Sequence, residues 1–259
     1  MTRIRLDIRY DGSGYSGWQK QPKKNAPPTI QAALELALLK LTGLELSTVG
    51  SGRTDAGTHA RHQVVHFDFP EEAEKYPWVR ALNSKLPEQI QVFEAYEAPS
   101  KFHALLSAQA KHYIYYLHNS PLPPLFRRRY TGWQKAPLSL EWLNETAKML
   151  VGRHDFRSFQ NTGTDVPSTV RTLFRAEWLK TGPQTIEFHV VGNGFLKQMV
   201  RNIVGTQIDM AIKKHPTHEF LKIFQARDRN HPGPTAPALG LFLHQVSYSR
   251  ELDNKCRKL

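Results

Sequence analysis

Short apolar-polar alternations recur along this chain, and tight hairpin-like links between them outnumber strict strand–helix–strand alternation. That arrangement favours largely antiparallel sheets with helices on one face, an α+β fold, over a doubly wound parallel sheet. Arg3 to Arg9 shows the pattern best, with Ile4, Leu6 and Ile8 on one face and charged residues on the other, as in a half-buried strand. Further strands are expected over Gln63 to Phe69, Gln89 to Ala95, Ala110 to Leu117 and Leu241 to Tyr248. Leu173 to Lys180 and Thr185 to Val191 pair as a hairpin across Thr181-Gly182-Pro183. Helical spacing appears from Ile30 to Leu41, where Thr29 is a ready N-cap and Gly43 a stop. Three more helices are expected: Trp78 to Leu86 ending at Pro87, Leu140 to Val151 with Gly152 as its stop, and a long one over Phe195 to Lys213. The polar stretch around Pro99-Ser100-Lys101 is the first candidate boundary. It suggests an N-terminal domain of residues 1–104, a C-terminal domain of 105–249 and a basic tail of 250–259 that frays.

The charge balance limits the partners. Lys and Arg number 35 against 23 acidic residues, a net +12, so an anionic partner is expected. Arg127, Arg128 and Arg129 form the densest basic run, flanked by Phe126 and Tyr130. Such a run suits a phosphate backbone and equally suits a solvated charged turn. The longest apolar stretches, such as Leu34 to Leu41, are interrupted by Glu35 and Lys40 and fall short of the ~18 to 20 residues of a membrane span. A soluble chain with no membrane partner is therefore expected. The amino terminus runs straight into a strand pattern with no apolar leader, which makes the cytoplasm the expected compartment. The single cysteine, Cys256, allows neither an internal disulfide nor a multi-thiolate zinc site.

The densest polar constellation is Gly50-Ser-Gly-Arg53-Thr-Asp55-Ala-Gly57-Thr-His59-Ala-Arg61-His62, between a helix and a strand. Its glycines allow close backbone approach around an Arg-x-Asp unit. A neighbouring guanidinium keeps Asp55 ionised, which suits a nucleophile or general base, while the alternative is an Asx-type turn with a surface ion pair. No Gly-Lys-Ser/Thr follows, so a P-loop is excluded, and neither a nucleophile elbow nor a dinucleotide fingerprint occurs. His59, His62 and His66 raise the question of a metal. His62 and His66 share a strand face only if the strand begins early, and no carboxylate or thiol completes a set, so no metal is expected.

Gly52-Arg-Thr-Asp-Ala-Gly-Thr-His-Ala60, preceded by Tyr10-Asp-Gly-x-x-Tyr-x-Gly-Trp-Gln19, resembles the tRNA pseudouridine synthase A family. Later blocks follow in the family's order: Phe102-His-Ala104, Lys111-His-Tyr113-Ile-Tyr115, Asn193-Gly-Phe195, Met199-Val-Arg201-Asn-Ile-Val-Gly205 and Thr235-Ala-Pro-Ala-Leu-Gly-Leu241. The resemblance spans nearly the whole chain. It implies isomerisation of uridine to pseudouridine at positions 38, 39 and 40 of the tRNA anticodon arm, without metal or organic cofactor. It implies two α+β domains with sheets like those of RNA-recognition or ferredoxin-like modules, outer helices, a cleft, and a homodimer that binds tRNA. Carried over by position, Asp55 is the catalytic aspartate, and Arg53 pairs with it and fills the space of a flipped base. Tyr113 stacks on the uracil, Arg201 positions Asp55, and Leu241 walls the pocket. Lys111 and His59 join the substrate-binding set, and Arg127, Arg128, Arg129 and Lys197 are candidates for the RNA backbone.

The residues taken alone agree with these roles and leave alternatives. Breaking a C–N glycosidic bond and rejoining uracil through C5 calls for one ionised carboxylate and an aromatic platform. Tyr113 in His-Tyr-Ile-Tyr-Tyr would serve as that platform or simply as core. Arg201, in an otherwise apolar helical segment, needs a partner, and a carboxylate such as Asp55 would suit. Where many relatives carry Arg-Arg or Lys-Arg before the tyrosine, this chain has Lys111-His112, which lacks the bidentate fork for phosphate. Two rival readings remain open: a non-catalytic RNA-binding module, and a metal-dependent nuclease using the histidines near Asp55.

Overall fold

The computed structural model describes residues 1–259 except 23–25, 162, 164, 165 and 231. In chain order its main elements are β1 (Thr2–Tyr10), α1 (Ile30–Thr42), β2 (Val49–Gly50), β3 (His59–Phe69), α2 (Trp78–Asn83), β4 (Ile90–Ala98), β5 (Ala110–Asn119), β6 (Gly132–Gln134), α3 (Leu140–Lys148), β7 (Gly152–Asp155), β8 (Val170–Lys180), β9 (Thr185–Gly192), α4 (Met199–Ile212), α5 (Thr217–Gln225), β10 (Leu241–Ser247), α6 (Arg250–Asn254) and β11 (Arg257–Lys258). The mixture is α+β, as the alternation implied. The chain forms two compact units, Met1–Ala110 with Leu243–Leu259, and Lys111–Phe242. The expected boundary after residue 104 thus differs from the observed one, and the chain returns to its first unit at residue 243.

In the first unit the sheet runs β11-β4-β1-β3-β10, with β2 on β3. β1 pairs antiparallel with both β3 and β4. Ile4, Leu6 and Ile8 are fully buried and lie opposite Phe67, Val65 and Gln63. α1 forms where the caps demand it. The Thr29 side chain accepts the Ala32 N–H at 3.3 Å, and Gly43, at φ 75°, ends the helix by donating its N–H to Leu39 O at 2.8 Å. Trp78 on α2 packs edge-on to Phe67 and Phe69, at 5.5 and 5.1 Å between ring centres.

The middle of the charged face of β1, Arg5 and Asp7, is not solvated as the half-buried pattern suggested, while Arg9 at its end is exposed. Arg5 and Asp7 are 7% and 3% exposed. Arg5 Nε and Nη2 donate to the two Asp7 carboxylate oxygens at 2.7 and 2.9 Å, and Nη1 donates to Asp253 on α6 at 2.6 Å. Its guanidinium lies 5.1 Å from the Tyr96 ring centre and 5.2 Å from that of Tyr248. The cause of this burial lies at the other end of the chain. The basic tail expected to fray is α6 and β11, with Arg257 and Lys258 opposite Glu97 and Tyr96 of β4 and Lys258 Nζ 2.9 Å from Glu94. Acidic side chains on β4 give those basic residues partners, and α6 supplies Asp253 to Arg5.

In the second unit the sheet runs β5-β9-β8-β7, with β6 parallel to β5. β8 and β9 form the expected hairpin. α4 begins at Met199 rather than Phe195, because Gln198 at φ 60° is left-handed and cannot continue a helix upstream. α3 stops at Lys148 rather than Val151, and Gly152, at φ 113°, opens β7 instead of capping the helix. α5 escaped the sequence reading. It seats Phe220 and Phe224 against Phe159, with ring centres 5.9 and 5.6 Å apart. Among the described residues no helix is long and apolar enough to cross a membrane.

Candidate active site

The first unit builds the loop that carries Asp55 from both sides. Entering from β2, Ser51 donates its N–H to Val64 O at 2.8 Å and its hydroxyl to the Gln63 side chain, while Gln63 Nε2 donates to Gly52 O at 2.8 Å. Next the glycine-rich Tyr10 to Trp18 segment grips the loop. Trp18 N–H donates to Thr54 O at 3.1 Å, and the Tyr10 hydroxyl lies 2.9 Å from Thr54 Oγ1. Burial pushes the Tyr10 phenol up to about 12, so it stays neutral in that bond. Gly17 sits at φ 88°, and a Cβ there would stand 2.6 Å from Thr54 O, so only glycine fits. Beyond Asp55, Gly57 N–H donates to Tyr15 O at 3.2 Å and Thr58 N–H returns to Asp55 O at 3.1 Å.

The consequence is a fixed backbone at Asp55. Thr54 and Thr58 are buried, so Asp55 between them is held half-buried while Arg53 is exposed. His59 is 1% exposed, and its Nδ1 lies 3.1 Å from the Gly12 amide and 3.0 Å from Asp11 Oδ1. It acts as the latch between the two loops.

The three histidines part company despite an early strand start at His59. His62 Nε2 meets Asp7 at 2.9 Å. His66 Nδ1 accepts the Ala104 N–H at 3.1 Å, and burial, helped by the Arg3 charge, pushes its imidazole down to about 4, so it is neutral. Each imidazole is committed to a different neighbour, and among the described residues no three His, Cys, Asp or Glu side chains are grouped to hold an ion.

The second unit carries the other candidates. Lys111, Tyr113 and Tyr115 share one face of β5 and are all buried, as is Ile114 on the other face. Tyr113, 6% exposed, meets Phe195 edge-on at 5.0 Å. Arg201 on α4 is fixed by its Nε, which donates to Ala236 O at 2.8 Å, while Ala236 N–H donates to Arg201 O at 3.0 Å. The return segment fits because Gly205 has no Cβ; one would stand 1.8 Å from Pro234 O. Next along α4, Asn202 accepts the Thr235 hydroxyl at 2.6 Å and donates to Phe159 O at 2.8 Å. The Arg201 charge is also near enough to Tyr115 to oppose the rise in phenol pKa that burial causes. Leu241 is buried at the start of β10, just after Gly240 packs on the Tyr115 ring. Arg127, Arg128, Arg129 and Lys197 are all exposed. The sequence reading passed over Arg171, a basic residue near Lys111; nothing in an arginine within a strand also holding Arg175 and Lys180 sets it apart.

The chain is similar to known proteins along most of its length. A family model described as tRNA pseudouridine synthase matches residues 8–105 and 146–249. The tRNA pseudouridine synthase A of Bdellovibrio bacteriovorus is 43% identical over 261 residues, covering 100% of this chain and 99% of that protein. That of Geobacillus kaustophilus is 42% identical over 250 residues, covering 96% and 95%. Among solved structures, a Cbf5-Nop10-Gar1 complex shares 11% identity at a TM-score of 0.40, covering 92% of this chain and 57% of that chain, a likeness too slight to carry an argument.

Proposed function

The chain belongs to the tRNA pseudouridine synthase family, isomerases acting on tRNA uridines, and from that premise we propose that it converts uridine at positions 38, 39 and 40 of the anticodon stem-loop, with Asp55 as nucleophile. The observation that carries this reading is the double grip on the Asp55 loop. A loop whose backbone is bonded on both sides of Asp55 presents that residue from a fixed main chain before substrate arrives, which is what covalent catalysis needs.

The reaction is balanced without any electron donor. The bond from C1′ to N1 breaks, uracil turns, and a bond from C1′ to C5 forms while C5 gives up its proton and N1 takes one. Substrate and product are isomers, so no redox cofactor is called for. One carboxylate serves the reaction by attack on C1′ or on C6. In this proposal Tyr113 and Leu241 receive the uracil, Arg201 supports the Asp55 carboxylate, and His59 holds the loop. The target base must leave its stack, which costs a few kcal/mol, and exposed Arg53 would fill the vacated space. The +12 charge, with Arg127, Arg128, Arg129 and Lys197 exposed, supplies the backbone attraction. A homodimer acting in the cytoplasm, where its tRNA substrate is found, completes the reading.

The test is incubation with unmodified tRNA in EDTA, followed by chemical adduct mapping of pseudouridine. Modification at the anticodon arm despite chelation is expected. Cleavage that EDTA abolishes would point to a nuclease, and bound but unchanged tRNA to a binding module; either outcome overturns the proposal.

A further inference from the structure

Among the described residues, Lys111 is a buried cation without an acidic partner. It is 8% exposed, and among the described residues no carboxylate pairs with it or with Arg171. Burial and the nearby Arg171 charge push the Lys111 ammonium down to about 8, and burial lowers Arg171 as well. Burying a lysine near a half-buried arginine is costly unless something answers the charge.

The local geometry keeps the pair in place. Arg171 Nη1 donates to Ser168 O at 2.8 Å and Val170 O at 2.7 Å, which fixes the guanidinium. Its Nε lies 3.4 Å from where a Gly194 Cβ would stand. Between the two strands, Gly192 of β9 is opposite both Lys111 of β5 and Leu173 of β8. A side chain there would collide, its Cβ 2.6 Å from Leu173 and 3.3 Å from Phe195. Phe195 in turn meets Tyr113. Both cations therefore border the Asn193-Gly194-Phe195 turn, which also carries the aromatic partner of Tyr113.

We propose that Lys111 and Arg171 together bind one backbone phosphate of the RNA strand, next to the nucleotide that Tyr113 receives. The proposal rests on the tRNA-modifying function proposed above. A phosphodiester offers one negative charge and two free oxygens. Arg171 would give it a directional donor and Lys111 a point charge, which makes good the missing arginine fork beside Tyr113. Empty, the site carries a cation pair that no carboxylate among the described residues compensates; occupied, it is neutralised, so binding energy would be concentrated beside the reacting base.

The experiment measures tRNA affinity across salt for the parent, Lys111→Met, Arg171→Gln and Lys111→Arg, with thermal melting alongside. Both charge-removing variants should weaken binding by about tenfold and flatten the plot of log affinity against log salt by about 0.7 to 0.9. Lys111→Arg should restore the slope. Lys111→Met should melt no lower than the parent, because it removes a buried charge. A methylphosphonate scan of a synthetic substrate stem-loop should find one phosphate whose neutralisation weakens the parent but not Lys111→Met. Unchanged slopes in folded Lys111→Met and Arg171→Gln, with the parent still forming pseudouridine, would overturn the phosphate site alone. A parent that binds tRNA and forms no pseudouridine would overturn the functional reading instead.

Discussion

Gly12 and Thr58 meet backbone to backbone: a Cβ on Gly12 would stand 2.0 Å from the Thr58 carbonyl oxygen and 2.7 Å from its carbon. No side-chain rotation relieves such a contact, so the Gly12 loop and the Asp55 loop have one mutual arrangement. Gly12→Ala should therefore push the loops apart, destabilising the protein by about 1 to 3 kcal/mol. Single-turnover rates should fall more than tRNA affinity, because the carboxylate moves while the phosphate contacts remain. Urea unfolding and rapid-quench kinetics would check both, and a variant with parental stability would contradict the tight fit.

Asp55→Asn should abolish pseudouridine formation in a tritium-release assay. Its tRNA affinity should remain within about tenfold of the parent, since phosphate contacts provide most of the binding. Residual turnover at the parental rate would remove Asp55 from the chemistry.

Tyr113→Phe retains the ring and its edge contact with Phe195, so tRNA binding should persist. If the hydroxyl takes the C5 proton, the single-turnover rate should drop by about a hundredfold or more. An unchanged rate would restrict Tyr113 to stacking.

Tyr115 presents a buried hydroxyl with no hydrogen-bond partner among the described residues, on a ring crowded by Gly132 and Gly240. Burial also holds its phenol proton well above the usual range. Tyr115→Phe should stabilise the protein by about 1 kcal/mol, because it removes a desolvated group that gains nothing in return. A lower melting temperature would show that the hydroxyl is satisfied in solution.

Acid should unfold the protein partly through His66. Its imidazole titrates at about 4 in the fold against 6.5 when unfolded, since burial disfavours the cation. Between those values the unfolded chain binds a proton that the native chain refuses, so stability falls as pH drops through that window. Melting temperature should decline from pH 6.5 to 4.5 more steeply in the parent than in His66→Gln. Parallel curves would rule out this contribution.

Much of this protein is legible in one dimension. Thr29 and Gly43 mark the ends of α1 because capping bonds span only a few residues. Alternation along β1 gives its strand, and two glycines around Arg53-Thr-Asp55 mark the loop, Gly50 because a Cβ would stand 2.7 Å from the Trp18 ring and Gly57 because its φ is 75°. What the sequence left open are contacts between residues far apart in the chain. Nothing near Arg5 announces that Asp253, 248 positions later, will neutralise it and bury the charged face of β1. Nor does a strand arginine announce that Arg171 shares the corner of a buried Lys111. Local propensity and hydrogen-bond range determined the elements and the Asp55 loop. The tertiary structure decided which charges lose their water and which find a partner, because desolvation depends on everything that packs around a group.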